Sequence, residues 1–319
     1  MALLAFDTIN YVADARKTED LDVSNPLKTL AFDLLVDYVG GGGITIDDAV
    51  LSGLINDIEI GGGRDTVFEA DGKDLYHLLW LLNKKEPQMN VVDPVAGPHI
   101  GTMQMRFPVN LNPGQIATPK LKVKWGNAGS IGTLFTVNPA TAINGSYEHV
   151  GKPLPNQKVL PLNRSATTGR DKVQLDAEGR LMGLLVITRA NASPFSRRSF
   201  ITDADLLIEG VVEVNDLRWE QLENEFANMV QLDGGTELGV GYLDLSDRNI
   251  IPGNQSYFRW EGDAVSSDVA VYEIFQAVLA SEPIASPDLI QKPGQESPRP
   301  SAGPLVGPGS RLKATNAGL

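Results

Sequence analysis

The side chains that do most covalent and metal chemistry are scarce in this sequence. It has no cysteine and only three histidines in 319 residues. That removes thiol nucleophiles, disulfides and the usual zinc ligand sets. His77 falls in a helical stretch, while His99 and His149 fall in loops. No two of the three share a metal-ligand spacing, so all three read as structural or surface residues. The acidic pairs Asp47-Asp48 and Asp203/Asp205 have the charge to hold calcium. The run of oxygen donors that a calcium loop needs is missing around both, so they read as punctuation at strand entries. With 40 acidic residues, carboxylate pairs for glycoside hydrolysis are plentiful, but nothing selects one. Trp125 and Trp260 have the rings for a sugar-stacking platform, yet each ends an alternating stretch, which favours the core or an interface. The glycine runs "GGGG" (40–43) and "GGGRDT" (61–66) lack the Lys-Ser or Lys-Thr of a phosphate loop and read as turn glycines. The Gly-X-Ser-X-Gly nucleophile signal is absent. Asn144, Asn163, Asn191 and Asn254 each open an Asn-X-Ser sequon, and chance accounts for them. The expectation is no catalytic residue, no cofactor and no metal.

Composition narrows the class further. A net charge of −13 argues against a surface that coats nucleic acid, which needs clustered Lys and Arg. No segment reaches the ~18 apolar residues of a membrane-spanning helix. The opening "MALLAFDTINYVADARK" has no basic region and an early Asp7, so no secretory signal is expected. With 42% apolar residues, 32 glycines and 20 prolines, the chain suits a packed core of many short strands joined by turns.

The elements follow a period of two, with one helix at a time between them. "KTLAFDLLVDY" (28–38) puts Leu30, Phe32, Leu34, Val36 and Tyr38 on one face. "ITIDDAVLSGLINDIEI" (44–60) reads as two short strands with a turn near Ser52-Gly53. "DLYHLLWLLNK" (74–84) repeats Leu75, Leu78, Leu79 and Leu82 at helical spacing. "QMRFPVNL" (104–111) alternates again, with Pro108 marking an edge strand or a bulge. "KLKVKW" (120–125) and "SIGTLFTV" (130–137) close the set. Residues 138–178 are polar and turn-rich, as a connection or an elaborated loop would be.

From residue 179 the order restarts. "GRLMGLLVITRA" echoes "KTLAFDLLVDY", and "FITDADLLIEGVVEV" echoes "ITIDDAVLSGLINDIEI". "DLRWEQLENEFANMV" echoes "DLYHLLWLLNK", and "LGVGYLDL" echoes "QMRFPVNL". "SYFRW" echoes "KLKVKW", and "SDVAVYEIF" echoes "SIGTLFTV". Each match alone is weak, but the shared order points to an internal duplication with copies of about 110 residues. The fold class expected is all-β: two tandem jelly-roll β-sandwiches, each with a flanking amphipathic helix. The expected divisions are an N-terminal arm (1–25), a first roll (26–140), a connecting region (141–178), a second roll (179–282) and a flexible Pro/Gly-rich tail (283–319).

This tandem pattern over residues 26–282, with a helix in each roll and an arm at either end, resembles the double jelly-roll major capsid proteins. Those proteins build tailless icosahedral viruses, including membrane-containing bacteriophages and adenovirus-like viruses. The resemblance implies a structural protein without catalytic residues. Its trimers would form pseudo-hexagonal capsomers of a virion shell assembled in the host cytoplasm. The implied partners are further copies of the chain, with minor capsid or vertex proteins and an internal viral membrane as candidates, and no specific nucleic acid. Two other classes fit the strands: a carbohydrate-binding or glycan-cleaving protein built from two β-sandwiches, and a phage tail or baseplate component.

Overall fold

The computed structural model describes residues 3–39, 54–62, 65–92, 99–127, 136–162, 166–167, 169–176, 178–190, 197–232, 235–263 and 267–277. All of them belong to one compact unit, Met1–Leu279. The tail expected over 283–319, the "GGGG" run and Asp47-Asp48 lie outside the described residues.

The first roll is built from two four-stranded sheets. One runs β1 (Leu3–Asn10), β10 (Ala142–His149), β3 (Leu27–Val39), β7 (His99–Leu111), extended at its far edge by β6 (Gln88–Val92). The other runs β5 (Asp65–Asp71), β4 (Ile55–Gly62), β8 (Lys120–Trp125), β2 (Arg16–Asp20). The second roll repeats both orders. β11 (Gln157–Pro161), β19 (Ser267–Ala277), β14 (Gly179–Ala190) and β17 (Val240–Asp244) match β1, β10, β3 and β7. β16 (Val211–Arg218), β15 (Ile201–Ile208), β18 (Tyr257–Gly262) and β13 (Asp171–Gln174) match β5, β4, β8 and β2. A helix follows the same strand in each roll: α1 (Leu75–Asn83) after β5 and α2 (Trp219–Met229) after β16. The expected pair of tandem jelly rolls with one flanking helix each is the architecture of the molecule.

The rolls share one sheet. β5 of the first runs parallel to β11 of the second, with Phe68 opposite Val159, and the two four-stranded sheets become one. One apolar core lies inside the second roll, around Leu184, Leu206, Trp219, Phe258 and Trp260. The other fills the first roll and runs on across the junction to Phe226, Tyr242 and Tyr272.

Four expectations about strand placement change. The stretch 1–25, expected as an arm, holds β1 and β2. β2 is "RKTED", an edge strand with no apolar residue, so it carries no periodic signal. Its backbone pairs with β8 and its charges meet those of neighbouring strands, Arg16 with Asp57 at 3.2 Å and Asp20 with Lys120 at 3.1 Å. The stretch 141–178, expected as a connection, holds β10, which closes the first roll, and β11 and β13, which open the second. In β10 only Ala142, Ile143 and Tyr147 are buried, too sparse for a clean alternation. The counterpart of β19 is therefore β10 rather than "SIGTLFTV", of which only Thr136–Val137 is described, pairing with β3. The counterpart of the β15–β16 hairpin is β4–β5, so "FITDADLLIEGVVEV" matches 55–71 rather than 44–60; residues 44–53 lie outside the described residues, and β4 turns into β5 through the second glycine run. A Cβ on Gly61 would lie 2.6 Å from the Asp65 carbonyl oxygen, so this hairpin requires glycine there. Pro108 sits inside a paired strand, opposite Thr29, beside a register shift. It marks a bulge, and the edge position goes to β6.

Candidate functional site: the junction between the two rolls

The junction gathers the most deeply buried charges in the described structure. β5 ends at Asp71, and a single 3-10 turn, Gly72–Asp74, leads into α1. That turn aims Asp74 at the second roll, where Arg189, near the end of β14, meets it in an ion pair. Asp74 is 0% and Arg189 1% exposed. The Tyr272 hydroxyl of β19 donates to Asp74 Oδ2 at 2.6 Å and accepts from the Asp71 backbone N–H at 3.3 Å. Beside them Lys73 Nζ lies 2.9 Å from Asp268 Oδ2. Burial pulls the Arg189 guanidinium down from its ordinary range, while Tyr272, Asp268 and Asp71 push it up. Guanidinium nevertheless stays charged in proteins. A buried pair of this kind adds little net stability against apolar residues of equal volume, but breaking it leaves a charge stranded. It ties the turn after β5 in the first roll to β14 of the second.

A second link uses α1. His77, buried in the helix, has Nε2 3.1 Å from Glu237 Oε1 in the loop before β17. Arg197 Nη2 reaches the same oxygen at 2.9 Å. The His77 hydrogen bond holds the Glu237 carboxyl below its ordinary range, against burial and with help from the Arg197 charge. Aromatic contacts finish the joint. Trp80 meets Phe226 of α2 edge-on at 6.1 Å, and His77 lies 6.2 Å from the same ring. The ionic centre of this cluster, Asp74 with Arg189, is closed off from the surface. The arrangement holds two bodies together.

The remaining candidate residues are dispersed. His149 Nε2 lies 2.9 Å from the Asp22 carbonyl oxygen, and His99 opens β7. Asp205 pairs with Arg259. Burial alone would raise its carboxyl, but hydrogen bonds from Arg259 and the Asp216 backbone N–H outweigh that and hold it low. Asp203 is exposed on the same strand. Among the described residues no three His, Cys, Asp or Glu side chains gather in a metal-binding group. Trp125 and Trp260 are both buried, facing the cores of their rolls. Trp125 packs against Tyr11 edge-on at 5.4 Å, and Trp260 lies 5.9 Å from Phe258. Neither ring is presented to a sugar.

Two surface clefts stand out. One, of about 700 Å³, lies beside the β6 edge between Tyr76, Glu86, Met89 and Gln104. The other, about 360 Å³, lies at the helix ends between Leu82, Met182, Met229 and Tyr242. Each of these two has a single acidic side chain in its wall, whereas a third cleft, of about 380 Å³, has both Asp176 and Glu273 in its wall beside Leu160 and Val173. The sequence signal closest to the junction was a charge beside an apolar run: Arg189 follows Leu184–Ile187 of β14, and Asp74 precedes the mostly apolar α1.

No protein-family profile and no curated protein matches the sequence. Solved structures do match the fold. The STIV MCP superposes with a TM-score of 0.71 over 88% of this chain and 99% of its own, at 14% identity. A chain in the atomic structure of Sulfolobus Turreted Icosahedral Virus gives 0.68 over 86% and 90%, at 13% identity. The major capsid protein P2 of bacteriophage PM2 gives 0.53 over 88% and 98%, at 10% identity. At these identities the likeness is one of fold.

Proposed function

We propose that this chain is a major capsid protein of an icosahedral virus, a structural protein whose trimers form pseudo-hexagonal capsomers of the virion shell. The observation that carries the reading is the end-to-end match to the PM2 major capsid protein P2 and the STIV MCP, which covers both rolls. The physical logic agrees with it. Two rolls locked by buried ion pairs make one rigid tile, and three such tiles present six rolls around an axis, an arrangement that closed symmetry favours. Further copies of the chain are the partners. The stretch 283–319 carries four basic and two acidic residues and many prolines. It is the candidate for contacts with minor capsid proteins or an inner membrane.

The test is the mass of the purified protein by light scattering, followed by electron microscopy. The expected result is a stable species near three times 34.3 kDa, with sheets or shells on concentration. A monomer at every concentration overturns the reading. Truncation after residue 282 that leaves particle assembly intact removes the tail from it.

A further inference from the structure

Within the chain, β5 of the first roll is covered along its edge by β11 of the second. The duplication gives each of these strands a counterpart: β16 for β5, and β1 for β11. Both counterparts end their sheets with no strand beyond them among the described residues. The chain therefore contains one completed junction and the two separate halves of another.

The register identifies which residues are equivalent. Ile58 pairs with Val123 and Leu206 with Phe258, each two residues before the matched tryptophans, so Ile58 corresponds to Leu206 and Ile60 to Ile208. Ile60 pairs with Phe68, and Ile208 with Val211. Phe68 is 1% exposed in the junction, whereas Val211 is 66% exposed. On the other side, Leu34 corresponds to Leu184 within the shared "LLV". Leu34 leads through Ile143 to Ile9, and Leu184 through Glu273 to Leu160. Ile9 thus corresponds to Leu160, and Thr8, which lies with Asp7 in a bulge opposite Asn144, is the residue next to it that takes the place of Val159. Thr8 is exposed, whereas Val159 is buried.

We infer that β16 of one copy pairs in parallel with β1 of a second copy, with Val211 beside Thr8. This contact repeats between chains the one that β5 and β11 make within a chain. It names the subunit contact of the capsid reading above and rests on it. The edges differ in the way the proposal requires. β2 presents Arg16, Lys17, Glu19 and Asp20, a charged edge that resists further pairing. β16 presents Val211 and Val212 at its start, where the proposed contact lies, and Glu213, Asp216 and Arg218 further along. Because the two half-junctions are different strands, the contact is head-to-tail and closes into a ring or runs on as a chain.

The absence of cysteine from the sequence provides a clean test. Wild-type mass is read first, and then the double variant Thr8→Cys with Val211→Cys is oxidised and run on a non-reducing gel. Facing residues on paired strands are within the Cα range a disulfide spans. The expected result is a ladder of chain multiples in the double variant and single-chain bands in Thr8→Cys with Ile251→Cys. Val211→Lys is expected to lose the oligomer while keeping the far-ultraviolet spectrum of the wild type. An oligomeric wild type whose double variant stays unlinked, or links no better than the Ile251 control, overturns the pairing and leaves the capsid reading standing. A wild type that is monomeric throughout overturns both.

Discussion

The helices α1 and α2 occupy the same place in two equivalent rolls, yet they are different objects. α1 reads "LYHLLWLLN" and is buried from Leu75 through Leu81. α2 reads "WEQLENEFANM", burying Trp219, Leu222, Glu223, Phe226 and Ala227 while Glu220, Gln221, Asn224 and Asn228 face outward. A helix apolar on all sides has neighbours on all sides. α1 has the core of its own roll on one face and Phe226, Tyr242 and Tyr272 of the second roll among its core neighbours. The same contrast separates β5, buried at Val67, Phe68 and Ala70, from the largely exposed β16. Duplication supplied two similar rolls, and the inner junction then selected apolar residues on one copy only. The difference between the copies is a map of where the rolls touch.

The harshest way to break that map is to strand a charge at the junction. Arg189→Met leaves Asp74 buried without its cation and is expected to cost about 3–5 kcal/mol in chemical denaturation. Residue 39 is its counterpart in the first roll, five positions past Leu34 as Arg189 is past Leu184. Val39 is exposed, and Val39→Met is expected to stay within about 0.5 kcal/mol of wild type. Asp74→Leu combined with Arg189→Met should recover part of the loss, because an apolar pair of similar volume replaces the ionic one. Equal costs at Arg189 and Val39 would show that the junction does not distinguish the copies.

A smaller effect sharpens the comparison of the helices. α2 is tied down by one buried carboxylate. Glu223 Oε1 accepts from Ser199 Oγ at 2.7 Å, Trp219 Nε1 at 2.6 Å and the Gly239 N–H at 2.9 Å. α1 has no acidic residue within it and depends on apolar packing and the His77 link. Glu223→Ala leaves buried donors unpaired and is expected to cost about 2–3 kcal/mol, read from the denaturant midpoint. A cost below 0.5 kcal/mol would show that α2 is held by packing alone, as α1 largely is.

The carboxylates beside the two helices should respond to acid with opposite signs. Glu237, bonded to His77 of α1, is held below 4.5. Its contribution to stability is present above pH 4.5 and lost as pH falls through its folded-state value. Glu225 of α2 is raised by burial, which outweighs the hydrogen bond it accepts from the Asp244 N–H, while the Asp244 charge raises it further. A raised carboxyl favours the folded state in acid, and that advantage is lost as pH rises above 4.5 through the folded-state value. Glu237→Gln should therefore flatten the acid limb of the stability curve, and Glu225→Gln should steepen it. Equilibrium unfolding from pH 3 to 7 reads both, and slopes that change in the same direction would contradict the assignment.

Legibility in the sequence follows the same division between buried and open positions. β3, β8 and α2 each bury one face, α1 and β14 bury more than one, and apolar residues at strand or helical spacing announce them all. β2, with no buried residue, and β10, with three, carry no such signal because their pairing is made by backbone hydrogen bonds at or near a sheet edge. The repeat was visible where Leu34–Val36 meets Leu184–Val186 and where Trp125 meets Trp260. It was mismatched at "SIGTLFTV", where the true closing strand is polar. Asp74 and Arg189 are 115 residues apart, and nothing local tells that they touch.

The smallest expected effect tests whether the outer edges are as alike as the topology makes them. Lys120 with Asp20 joins β8 to β2 at 3.1 Å, and Arg170, next to β13, meets Glu261 of β18 at 2.7 Å. These are equivalent strand pairs in the two rolls. Both ion pairs are exposed to solvent, so entropy and screening cancel most of the attraction. Lys120→Ala and Arg170→Ala are each expected to shift stability by at most about 0.5 kcal/mol, less at high salt. Measured on the assembled protein, a loss well above that at one edge would reveal it as covered by another chain. Equal and small losses would leave β2 and β13 as the open edges and direct assembly to β16 and β1.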